Sequence, residues 1–212
     1  MAAPHISGIV ALLKSMHPTW SPAAIKSALI TTAQEKDPLG APILAEGSPP
    51  KLPDPFNYGG ELVNPNAVAD PGLIYDLAIA DCVKYYLCGM GYKTSHISQL
   101  MKQKIGCPLQ RPSVSDLNLP TITVPALRNS TTVTRTVTNV GKSSSMYRAV
   151  IRAPPGTRVS VEPRVLVFNS RVKKISFKVT ISAVLHMNYG YSFGNLIGSD
   201  GVHPVKTPLS SN

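Results

Sequence analysis

Beyond position 120 the chain has only two acidic side chains, Glu162 and Asp200, against twelve lysines and arginines. Residues 1–120 balance nine of each sign, so the net charge of +10 lies entirely in the C-terminal part. Such a field attracts polyanions. The basic residues stand singly along the chain, however, apart from the run Arg171, Lys173, Lys174, and aromatics make up 6% of the residues. With few rings to stack on bases and no recognised motif, no nucleic-acid partner is expected. Cysteine is scarce too: Cys82, Cys88 and Cys107 have spacings that match no metal motif. The five histidines, His5, His17, His96, His186 and His203, include no i, i+4 pair. Neither a zinc site nor any cofactor is expected. No apolar run approaches the roughly 20 residues that cross a bilayer. Residues 6–13 are apolar, but no basic segment precedes them and no small-residue cleavage site follows Lys14, so no signal peptide and no membrane partner are expected.

What the chain does have is proline, 20 residues of it, and two successive periodicities. Ile6, Ile9, Val10 and Leu13 recur at i, i+3, i+4, i+7, the apolar stripe of a helix. Pro4 is tolerated only in a first turn, so that helix is expected to start at or just before Met1. After a turn at His17-Pro18, Ser21 reads as an N-cap and Pro22 as the first helical residue of a second helix, with Ile25 and Leu29 on one face. Residues 34–72 are rich in Pro and Gly and read as irregular connection. A short helix over 78–91, closed by Gly89 or Gly91, and a helical turn around 95–104 follow. From about 114 the period changes to two: in "KKISFKVTIS", Ile175, Phe177, Val179 and Ile181 alternate with Ser176, Lys178 and Thr180. Seven or eight such strands in roughly 95 residues predict an antiparallel β-sandwich of the immunoglobulin or fibronectin type III sort. The expected class is α+β.

The opening "MAAPHISGIVALLKSMHPTWSPAAIKSALITTA" resembles plant subtilisin-like serine proteases (subtilases), whose run is "GTSMA-x-PH" followed by "HP-x-WSPAAIKSALMTTA". "FNYGGELVNPNAVADPGLIYDL", "DLNLPTITV", "TVTRTVTNVG" and "SFGNLIGSDGVHPVKTPL" match further family stretches in order and spacing. The resemblance implies three units: a C-terminal remnant of a subtilisin-type α/β catalytic domain over 1–75, a helical connector over 76–112 and a fibronectin type III-like sandwich over 113–212. It also implies where the chemistry lies. In the family the nucleophilic serine directly precedes the methionine matching Met1, and the Asp, the His and the oxyanion-hole Asn lie further upstream. No residue of this chain takes a catalytic, cofactor-binding or metal-binding role on that basis. His5 matches a family histidine that is not the base, and Ser7 and Ser15 lack a nucleophile context.

The chain is therefore expected to be the C-terminal part of a peptide-bond hydrolase, inactive by itself. The family's setting is extracellular or cell wall, its partners protein or peptide substrates and a homodimer mate. The alternative is a non-enzymatic basic module for an acidic protein or a cell-wall polysaccharide. In an oxidising setting Cys88 and Cys107 can pair, closing a loop worth roughly 3 kcal/mol and leaving Cys82 over; the other reading is three free thiols. Asn129-Ser130-Thr131 is an N-glycosylation sequon, usable on the secretory route. Two positions depart from the family: Leu119 replaces a Tyr, and Gly198 stands where the family has Trp. Loss of a core aromatic costs about 3–5 kcal/mol. Ile6, Val10, Leu13, Ile25 and Leu29 have no assured cover, so residues 1–45 are expected to be loosely docked.

Overall fold

Proline has no amide hydrogen and a fixed φ, which suits a first helical turn, and a serine ahead of it can cap the amides that turn leaves unpaired. A computed structural model, describing residues 2–37, 39–45, 47, 49–51, 53–185 and 190–212, has this arrangement at α2 (Pro22–Thr31), where Ser21 Oγ accepts from the Ala24 amide at 3.0 Å. The preceding helix α1 spans Ala2–Met16, with Pro4 in its first turn; the expected start at Met1 lies outside the described residues. Two short capped turns, α3 (Pro55–Tyr58) and α4 (Pro65–Ala69), punctuate the otherwise irregular stretch that follows.

The connector holds α5 (Ile79–Asp81), which runs into a π-helical segment, Cys82–Cys88, and then α6 (Thr94–Met101). Val83, Cys88 and Ile97 form a small core of their own, and a disulfide joins Cys88 to Cys107. Cys82 is free.

The rest is a two-sheet sandwich. Its strands are β1 (Leu73–Ile74), β2 (Ile122–Val124), β3 (Ser130–Asn139), β4 (Ser145–Arg152), β5 (Thr157–Glu162), β6 (Val165–Phe168), β7 (Lys174–Ala183), β8 (Ser192–Ser199) and β9 (Pro204–Ser211). One sheet has the order β1-β3-β7-β5, the other β2-β9-β8-β4-β6. Inward-facing Val133, Val137, Phe177, Val179 and Ile181 from the first meet Tyr147, Phe168, Leu196, Val205 and Leu209 from the second, as the period of two requires. Outward Thr132 and Thr136 hydrogen-bond across the first sheet to Thr180 and Ser176.

Three details differ from the sequence reading. The sandwich is not wholly antiparallel: β2 runs parallel to β9, which is possible because nearly the whole domain serves as the connection between them. Leu73 and Ile74, placed by sequence in the helical remnant, form an edge strand that pairs with Thr138 and Asn139 of β3. Finally, Leu13 and Ile25 are covered: with Ala24, Ala28, Val68 and Ile74 they make a second core that joins the helices to the sandwich. Ile6, Leu12 and Met16 of α1 remain exposed.

Candidate functional site

The junction between helices and sandwich holds the buried polar side chains Ser27 and Thr207. Helix α2 packs against β1 of one sheet and β9 of the other. Fully buried Ser27 on α2 accepts from the Tyr75 amide at 2.8 Å, just past β1. Tyr75 then turns its phenol into the sandwich core, 2.6 Å from the Thr207 hydroxyl, and burial pushes its pKa up to about 12. Ser21 works in both directions, capping α2 and donating to Asp76 Oδ1 at 2.6 Å.

Two charged clusters close the same seam. On β9, Lys206 Nζ donates to Glu61 and lies 3.5 Å from Glu35, so these two carboxylates of the irregular stretch reach the sandwich. Burial pulls the Lys206 ammonium below its ordinary pKa, and Glu35 partly offsets this. On the β8–β9 turn, His203 stands between two carboxylates, with Nδ1 2.9 Å from Asp200 Oδ2 and Nε2 3.1 Å from Asp70 Oδ2. The neighbouring Tyr147 phenol is pushed up first by burial and then by the Asp200 carboxylate to which it hydrogen-bonds. Gly72 makes this closeness possible. It has φ +70, and a Cβ there would collide with the Tyr147 hydroxyl and the His203 side chain.

Beside α1 and α2 lies an open, mainly apolar groove of about 530 Å³, walled by Ile6, Val10, Trp20, Ile25, Leu29 and Val63, with Glu61 of the seam at its edge.

The residues singled out from sequence are dispersed. His5 and Ser15 are exposed on α1, and Ser7 Oγ donates to the Ala3 carbonyl at 2.9 Å within the same helix. His17 stacks on Trp20 at 3.9 Å and bonds the Ala69 carbonyl through Nε2, an anchoring arrangement. His96 is exposed on α6, and His186 lies outside the described residues. Asn129 is exposed immediately before β3. Among the described residues no group of three or more His, Cys, Asp or Glu side chains converges to hold a metal ion. No helix among them is long and apolar enough to cross a membrane. Leu119 is half-buried, and its carbonyl accepts from Arg135 Nε at 3.1 Å. At Gly198 an added Cβ would meet nothing within 4 Å, and the residue borders a small void of about 40 Å³ between the sheets.

Sequence reasoning missed the His203 and Lys206 clusters. Each has a local half that was readable, such as the turn Asp200-Gly201-Val202-His203, but the partners Asp70 and Glu61 lie 133 and 145 residues away.

Residues 1–59 match the family model described as the subtilase family, and residues 116–210 match a fibronectin type-III domain. The chain is 54% identical over 210 residues to the subtilisin-like proteases SBT3.6 and SBT3.8 of Arabidopsis thaliana, and 53% identical over 211 residues to SBT3.13. In each case 99% of this chain and 27% of the relative are covered, so the chain spans about a quarter of the length of the relatives it matches. Among solved structures, the FixG-related protein of Vibrio parahaemolyticus overlays 39% of this chain and 74% of its own, at 12% identity and a TM-score of 0.31, too distant to bear on function.

Proposed function

Because the chain belongs to the plant subtilisin-like protease (subtilase) family, we propose that it serves peptide-bond hydrolysis as the C-terminal portion of a serine endopeptidase and performs no hydrolysis by itself. The carrying observation is that α1 leaves Leu12 68% and Met16 59% exposed on one face while Ile6 and Val10 line an open groove on another, in a chain matching a quarter of its relatives' length. A helix that buries one side chain, Leu13, fits packing inside a larger α/β domain.

The chemistry assigned to the whole protein follows from α1. A helix N-terminus presents amides without intrahelical partners and the positive end of the macrodipole. A serine placed immediately before it can attack an acyl carbon while those amides steady the developing oxyanion. Pro4 sits in that first turn, where a missing N–H removes no helical bond. The 212 residues contain no "GTS" nucleophile segment, and the histidine best supplied with carboxylates, His203, has Asp70 where an attacking hydroxyl would be needed. In this reading the sandwich braces the catalytic domain through α2, β1 and Lys206, and the protein works outside the cell or in its wall, on protein or peptide substrates.

A chimera tests the proposal. The matching 27% of an Arabidopsis relative is replaced by these 212 residues, and secreted peptidase activity is measured. An active chimera is expected. A chimera that is secreted and folded but hydrolyses no peptide would contradict the role.

A further inference from the structure

His203 joins two parts of the chain that are 133 residues apart. Its Nδ1 faces Asp200 on its own turn and its Nε2 faces Asp70, the residue that ends α4. Both contacts are to carboxylates, which only accept hydrogen bonds, so both ring nitrogens must carry a proton for both to hold. A neutral imidazole has one N–H and can keep one of them.

Which contact survives is set by the surroundings. Asp200 is fixed: its Oδ1 accepts the amides of Val202 and His203 at 2.9 and 2.7 Å, and its side chain is 15% exposed. Asp70 is 68% exposed and can turn to water. Loss of the proton therefore leaves Nδ1–H on Asp200 and sets the Nε2 lone pair against the Asp70 carboxylate.

We propose that His203 is a proton-operated clasp, closed in mild acid, that ties the α4–β1 corner of the subtilase part to the β8–β9 turn of the sandwich and releases Asp70 when it becomes neutral. The inference does not depend on the hydrolytic role proposed above.

The ionisable groups facing the ring are Asp200 from its own turn, Asp70 from the α4 corner and, beside Asp200, Tyr147 from β4. The Asp200 hydrogen bond, opposed by burial and aided by Asp70, raises His203 above its ordinary 6.5. A raised base contributes stability that is complete below the unfolded value and is lost as pH rises through the folded one. Asp200 works in the opposite sense. Burial opposes its ionisation, but the bonds from His203 and Val202 prevail and hold it well below 3.8. Its contribution is present above that ordinary value and is lost only as pH falls through the depressed one. The clasp is thus fully closed between about pH 4 and pH 6.5 and opens above.

The test uses the 212-residue chain with labelled histidine. NMR titration is expected to place the His203 pKa above 6.5 and to show it falling in Asp70→Asn, a change at an exposed side chain that leaves packing intact. Hydrogen exchange of the Val68 and Leu73 amides, corrected for intrinsic rates, is expected to lose protection by about threefold or more between pH 5.5 and 8.5 in the wild type. That loss should disappear in Asp70→Asn. A His203 that titrates at or below 6.5 overturns the clasp, as does protection that changes equally in both proteins or in neither.

Discussion

On β7, Val179 and Ile181 are wholly buried between two sheets; on α1, about four turns of largely apolar sequence leave Leu12 and Met16 more than half exposed. The two regions use similar residues, so composition does not separate them. What separates them is whether the covering layer belongs to the same stretch of chain. The sandwich supplies both of its layers between β1 and β9. Helix α1 supplies one layer of a pair, and α2 is divided, burying Ala24 and Ala28 in the second core while Ile25 and Leu29, which also pack on that core, border the open groove. A domain that closes on itself can be stable alone, whereas a helix with one covered stripe depends on its neighbours.

Substitutions sharpen the contrast, the largest in the sandwich. Phe168, 1% exposed and edge-on to Tyr147 at 6.0 Å, should cost about 3–5 kcal/mol on replacement by alanine. Leu12→Ala on α1 should stay within about 0.5 kcal/mol; urea denaturation compares the two, and equal losses would erase the distinction. Cys107→Ser opens a loop of sequence separation 19 and should destabilise the connector by roughly 3 kcal/mol. Exchange protection at Val83 and Ile97 should fall in that variant while that of β3 and β7 is kept. Ser27→Ala leaves the buried Tyr75 amide without its acceptor, a loss of about 1–3 kcal/mol that should loosen α2 before the sandwich unfolds. One further change has the opposite sign. Gly198 has open space at its Cβ, so Gly198→Ala should stabilise β8 by about 0.5–1 kcal/mol in thermal denaturation.

Much of this division was legible in the residues themselves. The cap Ser21-Pro22, the stripe ending at Leu13 and the alternation from Ile175 to Ile181 each report a local preference, and each lies in an element of the expected type. What stayed hidden depends on tertiary partners. Leu73 and Ile74 are two residues long, too short to show a period, and are a strand only because β3 offers an edge. The π-helical turn at Cys82–Cys88 shares its composition with an ordinary helix. Arg135 occupies an inward position of β3 among valines, where a charge is unexpected; it is stable there because the carbonyls of Ser115, Leu119 and Thr121 receive its guanidinium. The seam pairs Lys206–Glu61 and His203–Asp70 join residues with no common local pattern.

The most direct measurement is exposure of the purified 212-residue chain to a fluorophosphonate probe, followed by mass spectrometry, beside a peptidase assay. The account predicts an unmodified protein and no hydrolysis. Stoichiometric labelling of one serine, with peptide cleavage that the label abolishes, would contradict it.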